Sequence, residues 1–269
     1  MTRPPPPTVV EAFGGSGPPA RFSGGRGQSW RAGPIVLKPV DSSVAALDWL
    51  SSVLTALDGN DQFRVAPPVR SDQGELIVTG WVATRYEPGH HDWHRWAEII
   101  EIGERFHHAL AGRPRPDWLA ARTDAWSIAD RAAWAEIPLP TATEPILDEL
   151  LTARRPVAAR SQLVHGDLTG NVLFEKDRPP LVIDISPYWR PPAFASAVVA
   201  VDALAYHGAD ASVLDVIADR DRDQYLVRAL LYRMITDRLR GQPHARTPDD
   251  PYLPVARLAL RRIAGGSTR

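Results

Sequence analysis

The feature that most constrains the fold is a change in hydrophobic pattern near residues 86–89. Before it, segments such as SWRAGPIVLKPV and ELIVTGWVATRY carry many β-branched and aromatic residues between Gly, Pro and Asp, a composition typical of strands. Residues 42–57 interrupt them with apolar side chains at three- and four-residue spacing, which predicts one helix. After Gly89 helical periods dominate, as in QYLVRALLYRMITDRL. The pattern therefore predicts an α+β protein with a small strand-rich part and a larger, mainly helical part.

The domain limits follow from the same pattern. We expect residues 1–20 to be a proline-rich, partly disordered arm, because proline lacks the backbone N–H that secondary structure uses. Residues 21–86 should form the strand-rich part, and residues 87–269 the helical part, which would include a hairpin at 163–186. The boundary is placed at residues 86–89, where the strand pattern stops at a proline and a glycine. The cleft between two such parts is the natural place for a ligand.

Charge and cysteine content exclude several kinds of partner and compartment. The chain has 31 basic and 32 acidic residues, so its formal net charge of −1 gives no field that would draw nucleic acid or an anionic bilayer. It has no cysteine, and its start, MTRPPPP, lacks the apolar core of a secretory signal. No window reaches the roughly 18 uninterrupted apolar residues that a membrane helix needs. We therefore expect a cytoplasmic protein that acts on a small molecule and binds neither nucleic acid nor membrane.

Polar side chains are concentrated at the ends of two short apolar runs in LVHGDLTGNVLFEKDRPPLVIDIS, residues 163–186. The runs NVLFE and PLVIDI predict a hairpin. At its ends, Asp167, Asn171 and Asp184 bring together hard oxygen ligands, which suit Mg²⁺ held by a few protein oxygens and by substrate phosphates. A site of this kind also needs a group that binds phosphate.

The strand-rich part offers such a group. SGGRGQSW, residues 23–30, is a glycine-rich turn between predicted strands, and Lys38 lies on the strand that follows. Glycine lets backbone N–H groups approach an anion, and the lysine ammonium adds a point charge. The glycines concerned are Gly24, Gly25 and Gly27. Together with the carboxylates of residues 163–186, these features indicate phosphoryl transfer.

The order of these motifs resembles that of the aminoglycoside phosphotransferase family of protein-kinase-like small-molecule kinases. The motifs are the glycine-rich turn, the strand lysine, the HGD loop of residues 165–167 followed by Asn171, and Asp184 on a strand. The resemblance spans roughly residues 20 to 210. The segments HGDLTGNVLF and SPYWRP are also similar to those of an actinobacterial branch. The resemblance implies a two-lobed, protein-kinase-like fold with a β-rich N-lobe, a helical C-lobe and the active cleft between them.

The resemblance also implies a role for each motif residue. Asp167 would be the catalytic base that orients the acceptor hydroxyl and accepts its proton. Asn171 and Asp184 would hold Mg²⁺ against the phosphates of ATP, and Lys38 would pair with the α- and β-phosphates, which the turn at 23–30 would cover.

Further residues would support the nucleotide and the loop. By the same resemblance, backbone groups of Ala83, Thr84 and Tyr86 would receive the adenine ring. Asp202 would support the catalytic loop through hydrogen bonds, and His165 would be structural.

Two departures from the family pattern bear on catalysis. Only three residues separate Asp167 from Asn171, where kinases have four, so Asn171 is either kept in place by a tighter backbone or displaced from the metal. The helix predicted at 42–57 has Asp48 as its single acid, whereas kinases pair the strand lysine with a helix glutamate.

Two further departures bear on the acceptor. Asp184 is followed directly by Ile185–Pro187 instead of a long activation segment, and Gly166 stands where protein kinases carry an arginine that reads a phosphorylated loop. A small-molecule acceptor is therefore favoured over a protein. Three residues just after Asp184 would line the acceptor pocket or pack in the core: Tyr188, Trp189 and Arg190.

The leading hypothesis is an ATP-dependent phosphotransferase that moves the γ-phosphate to a hydroxyl of a small metabolite, such as a sugar, an amino sugar or an amino alcohol. The alternative is a pseudokinase that binds nucleotide or a protein partner without turnover, which the short loop and the missing glutamate favour. Transfer of AMP from the same ATP site is a third option.

Overall fold

The computed structural model describes residues 3–22, 27–140, 144–242, 245 and 247–266. Chain contacts divide it into two compact units, the first made of Met1–His91 and Gly170–Asp184 and the second of Asp92–Thr169 and Ile185–Arg269. In chain order the helices are α1 (Pro7–Ala12), α2 (Val44–Leu57), α3 (Trp96–Leu110), α4 (Ala125–Ala133), α5 (Pro145–Ala153), α6 (Pro192–Tyr206), α7 (Arg222–Leu239) and α8 (Tyr252–Gly266). The strands are β1 (Ala20–Arg21), β2 (Trp30–Ala32), β3 (Ile35–Pro39), β4 (Arg64–Val65), β5 (Pro68–Val69), β6 (Trp81–Arg85), β7 (Gln162–His165), β8 (Val172–Glu175), β9 (Arg178–Val182) and β10 (Pro187–Arg190).

The first unit is built on a sheet with the strand order β1-β2-β3-β6-β5, all of whose neighbours run antiparallel. The helix expected at 42–57 is α2, which begins after Ser43, whose side-chain oxygen accepts the N–H of Ala46 at 3.2 Å. Serine is a favoured N-cap because its hydroxyl satisfies one of the first backbone donors of a helix. The apolar spacing that predicts α2 and the serine that caps it are therefore both carried by residues close together in the sequence.

The N-terminal segment differs from the expected disordered arm. Residues 7–12 form α1, which starts with Pro7 at the first helical turn, where the missing N–H is not needed and the fixed φ angle suits the helix. Val9, Val10 and Phe13 are buried against strand residues that include Ile35. Proline content predicted the wrong state for residues 7–13, because a proline at a helix start favours the helix.

The hairpin of residues 172–182 also groups differently from the expectation. β8 and β9 form the predicted antiparallel pair, but β9 pairs in parallel with β4, with Arg64 opposite Leu181. The Arg64 guanidinium strengthens this junction, donating to the carbonyl of Pro179 at 2.8 Å and to Glu87 at 3.0 Å. Residues 170–184, which the sequence pattern assigned to the helical part, therefore belong to the strand-rich unit.

The second unit is mainly helical. Its centre is α6, whose residues Phe194–Ala203 are all buried, and α6 packs against α3, α7 and α8. β7 and β10 form an antiparallel pair in which His165 lies opposite Pro187. Among the described residues, no helix combines the length and apolar character needed to cross a bilayer.

Candidate active site

The HGD loop begins where β7 ends, and His165 holds its backbone. His165 is fully buried, and its Nδ1 accepts the N–H of Asp167 at 3.2 Å and that of Ser186 at 3.4 Å. Its own backbone N–H donates to Nε2 of His107 on α3 at 3.0 Å. These contacts fix the turn that presents Asp167, as a structural role for His165 requires.

His107 is a second buried histidine under the loop. Burial and, to a smaller extent, the neighbouring His165 together lower its pKa from 6.5 to about 3. The imidazole is therefore neutral near neutral pH, and its Nε2 can act as the acceptor that the loop uses. Sequence reasoning missed this residue because a histidine in the apolar stripe of α3 carries no local sign of a long-range partner.

Gly166 is required by the packing of the loop. A Cβ atom at this position would lie 2.7 Å from Cε2 of the Tyr188 ring, closer than side chains approach one another. Tyr188 is itself fixed, because its hydroxyl shares a hydrogen bond with that of Tyr232 at 3.1 Å. The glycine that replaces the arginine of protein kinases thus makes room for an aromatic ring.

Asp167 is held by an arginine that sequence reasoning did not single out. Arg233 on α7 donates from Nη2 to Asp167 Oδ1 at 2.8 Å and to Asp202 Oδ2 at 2.5 Å, and from Nε to Asp202 Oδ1 at 2.9 Å. Burial lowers the pKa of Arg233, but the charges of Asp202 and Asp167 outweigh burial and hold that pKa well above its ordinary value. Asp202 therefore supports Asp167 through Arg233. The only local signal was an arginine inside the apolar run LLYRMI.

In the first unit, Lys38 and Asp184 come together although 146 positions separate them. Lys38 lies on β3 opposite Val82 of β6, and its Nζ is 2.9 Å from Asp184 Oδ1 and 3.8 Å from Asp41 Oδ1. The Asp184 side chain is 62% exposed, so it is accessible to a ligand from solvent. The acid of α2, Asp48, instead pairs with Arg70 at 3.1 Å. The strand lysine thus contacts the proposed metal ligand.

Asn171 lies beside the end of β9. Its carbonyl accepts the N–H of Ile183 at 3.0 Å, which extends the β8–β9 ladder to the residue before Asp184. Asp184 itself has a φ angle of +49°, in the left-handed region that non-glycine residues rarely adopt and that is often found at functional sites.

The donor chemistry of this pair fits magnesium. An exposed aspartate and an asparagine supply hard oxygens but too few for a complete protein cage, which matches an ion that keeps water and phosphate ligands. No cluster of three or more His, Asp or Glu side chains suited to a metal occurs in the described part of the chain. Asp184 and Asn171 could thus supply oxygen ligands to Mg²⁺, and their role as its ligands stays a prediction.

The glycine-rich turn is only partly described. β1 and β2 pair antiparallel on either side of it, and the N–H of Phe22 donates to the carbonyl of Ser29 at 3.0 Å. Gly27 adopts a φ angle of +61°, and its carbonyl accepts a hydrogen bond from Arg21 Nε at 2.7 Å. Gly24 and Gly25 lie outside the described residues.

The three residues expected to receive adenine have other contacts. Ala83 and Thr84 lie in β6, which pairs with β3 on one side and β5 on the other. The N–H of Tyr86 donates to the carbonyl of Pro34 at 2.8 Å, and its ring lies 3.6 Å from the guanidinium carbon of Arg31. The strand residues Ala83 and Thr84 and the N–H of Tyr86 thus have partners within the first unit, and adenine binding at these three residues stays a prediction.

Tyr188, Trp189 and Arg190 line a cavity of about 30 Å³, enough for about two water molecules. Arg190 forms two hydrogen bonds to Asp130, at 2.9 and 2.6 Å, and a third to Glu136 at 2.5 Å. Tyr188 and Arg190 are buried, and Trp189, which alternates with them along β10, is half-buried. The contacts of Tyr188 and Arg190 are those of packing residues, and an acceptor pocket at these positions stays a prediction.

Comparison with known proteins identifies the family. A model described as the phosphotransferase enzyme family matches residues 29–187, more than half of the chain. The chain belongs to this family. The match includes the strand lysine, the HGD loop and Asp184. No curated protein sequence gives a match.

Solved structures of several small-molecule kinases have a similar fold. An aminoglycoside phosphotransferase from Alicyclobacillus acidocaldarius subsp. acidocaldarius DSM 446 is 14% identical, with a TM-score of 0.61 over 99% of this chain and 97% of that one. Amicoumacin kinase hAmiN, solved with AMP-PNP, Ca²⁺ and Ami, is 12% identical, with a TM-score of 0.60 over 95% and 93%. Choline kinase LicA from Streptococcus pneumoniae is 11% identical, with a TM-score of 0.60 over 96% and 98%. The protein-kinase-like fold expected from the sequence motifs is confirmed.

Proposed function

We propose that this phosphotransferase-family protein moves the γ-phosphate of ATP to a hydroxyl group of a small metabolite. The observation that carries the proposal is the 2.9 Å contact between Lys38 Nζ and Asp184 Oδ1. This contact supports the proposal because kinase-type phosphoryl transfer uses a strand lysine that binds phosphate and an aspartate that binds magnesium in one site. The AMP-PNP bound to amicoumacin kinase hAmiN supports the choice of ATP.

The proposal gives each residue a task. Lys38 binds phosphate oxygens, and the Asp184 carboxylate and the Asn171 amide oxygen hold the metal. Magnesium, when bound, neutralises charge on the phosphates during transfer. Asp167 orients the acceptor hydroxyl and takes its proton, while His165 and Arg233 keep the Asp167 backbone and carboxylate in place.

The proposed acceptor is a sugar, an amino sugar or an amino alcohol. The neighbours named for aminoglycoside, amicoumacin and choline support this range, because all three names denote small molecules. Gly166, which lacks the arginine side chain that reads a phosphorylated protein loop, also favours a small acceptor. We further propose a cytoplasmic location and no nucleic-acid or membrane partner.

The test combines nucleotide binding with turnover. Mg-ATP at ~100 times its Kd should stabilise the folded chain by about 2.7 kcal/mol and raise its melting temperature. Asp184→Asn should abolish the magnesium-dependent part of this shift, since asparagine tolerates the left-handed backbone but lacks the charge. Asp177→Asn is the matched control, because Asp177 is exposed, lies in the turn of the same hairpin and also has a left-handed φ angle, of +58°. A shift that persists in Asp184→Asn would contradict the assignment.

Turnover is measured as transfer of ³²P from γ-labelled ATP to a panel of metabolite alcohols and aminoglycosides. Asp167→Asn should retain the Mg-ATP shift and lose transfer. Binding by the wild type without transfer to any acceptor would instead favour the pseudokinase. Labelling of the acceptor in a parallel assay with α-labelled ATP would indicate AMP transfer.

A further inference from the structure

We propose that Arg233 is a positioning residue for the transfer reaction, which holds the carboxylate of Asp167 in the orientation that meets the acceptor hydroxyl. This inference rests on the proposed function. It adds to the family motifs a residue of α7, 66 positions after Asp167, that belongs to none of them.

The guanidinium of Arg233 is fixed by Asp202 before it reaches Asp167. Two parallel hydrogen bonds, from Nε and Nη2 of Arg233 to the two oxygens of Asp202, determine the plane of the guanidinium. Asp202 lies on α6, the buried central helix, and its side chain is 7% exposed. The orientation of Arg233 is therefore set by a residue of the buried part of α6.

Asp167 is the accessible end of this chain of contacts. Its side chain is 39% exposed, against 12% for Arg233, and its Oδ1 accepts from the same Nη2 that binds Asp202. A carboxylate on a loop has several staggered rotamers open to it. One hydrogen bond to a fixed donor selects among them, so the backbone is held by His165 and the side chain by Arg233.

Charge and geometry together explain why position 233 needs an arginine. Asp167 and Asp202 are like charges on adjacent elements, and the positive charge between them offsets their repulsion and the burial of Asp202. A lysine would supply the charge, but its ammonium lacks the planar fork that binds Asp202 through two atoms and still reaches Asp167. Arg233→Lys therefore keeps the positive charge but loses the two-atom contact with Asp202.

The chain offers a matched control on the same helix. Arg238 lies on α7 five residues later, is 1% exposed, and forms a similar two-atom pair with Glu144 at 2.8 and 2.7 Å. Its Nη1 donates to the carbonyl of Met234, one turn back along α7, and lies 3.7 Å from Asp250 Oδ2. Arg238→Lys damages a buried arginine–carboxylate pair to a similar degree without touching the contacts of Asp167.

The experiment compares the full-length wild type, Arg233→Lys and Arg238→Lys with Mg-ATP and the acceptor found by the transfer screen. We expect Arg233→Lys to lower kcat by about 100-fold, the cost of a misplacement of about 1 Å, with KM for ATP and the Mg-ATP melting shift unchanged. Arg238→Lys should lose similar stability and keep kcat within about twofold. Wild-type kcat in Arg233→Lys, or an equal fall in both variants, would overturn the inference. If Arg233→Lys does not fold, Asp202→Asn is tested instead, because it weakens the contact that orients Arg233 while the asparagine side chain keeps the shape of the aspartate.

A second measurement separates this inference from the proposed function. If the wild type transfers phosphate to no acceptor, the proposed function fails, but crystal structures of the wild type and Arg233→Lys still decide the positioning role. A rotated or multiply placed Asp167 carboxylate in the variant supports it. An unchanged carboxylate overturns it whatever the activity.

Discussion

His107 should make the stability of the folded protein depend on pH in a measurable way. The side chain is 1% exposed, and its pKa is about 3 in the fold against 6.5 for an ordinary histidine. Above about pH 6.5 the imidazole is neutral in both the folded and the unfolded chain and contributes no pH dependence. As the pH falls from about 6.5 towards 3, the unfolded chain takes up a proton that the folded chain refuses, so stability is lost.

The magnitude follows from the two pKa values. Their difference corresponds to a maximum loss of about 5 kcal/mol, reached near pH 3, at about 1.36 kcal/mol for each pH unit. At about pH 5 the loss is about 2 kcal/mol, a large fraction of the 5–15 kcal/mol that typically stabilises a protein.

His107→Gln isolates this contribution. Glutamine can accept the N–H of His165 through its amide oxygen but does not titrate. Free energies of unfolding from urea denaturation at about pH 7.5 and pH 5 should fall by about 2 kcal/mol more in the wild type than in the variant, since the other titrating groups are shared. Equal losses in both proteins would refute the reasoning. The ¹⁵N shifts of the His107 imidazole give a direct check, because they should report a neutral ring down to about pH 4.

Two other substitutions test the packing beneath the candidate active site. Gly166→Ala should destabilise the fold by about 1–3 kcal/mol and lower transfer activity, because its Cβ would overlap the Tyr188 ring; a variant as stable and active as the wild type in urea denaturation and the transfer assay would contradict the contact. Arg190→Met should cost about 3–5 kcal/mol by leaving the buried Asp130 carboxylate without its main partner. Arg190→Met with Asp130→Asn should recover part of this loss in calorimetry, and a double variant no more stable than the single one would refute the explanation.

The sequence predicted those features that depend on neighbouring residues. The spacing of apolar residues placed α2 correctly, and the short apolar runs NVLFE and PLVIDI predicted the β8–β9 hairpin. The family motifs brought together Lys38 and Asp184, whose contact the structure contains. Local pattern and motif order are sufficient for such features, because each is encoded in a few consecutive residues.

Features that depend on distant partners were missed or misplaced. Arg233 and His107 lie in helices whose apolar stripes conceal a polar residue with a partner elsewhere in the chain. Because β4 pairs with β9, with Arg64 opposite Leu181, the β8–β9 hairpin belongs to the strand-rich unit and not to the helical one. No periodicity in the sequence reports a parallel pairing between strands so far apart. The error at Pro7 had another cause, since proline stops a helix in its interior but favours one at its first turn.

The way the hairpin Gly170–Asp184 completes the strand-rich unit constrains the order of events during synthesis. β4 obtains its neighbour only when β9 has left the ribosome, after about two-thirds of the chain has been made. A domain that is one continuous N-terminal segment can fold first, but here the β4-β9-β8 sheet must wait for residues 170–184, which follow α3, α4 and α5 in the chain. A gene fragment ending at His91 would accordingly encode all five strands of the β1-β2-β3-β6-β5 sheet but leave β4 without β9, and neither unit can be produced from one uninterrupted stretch of the gene.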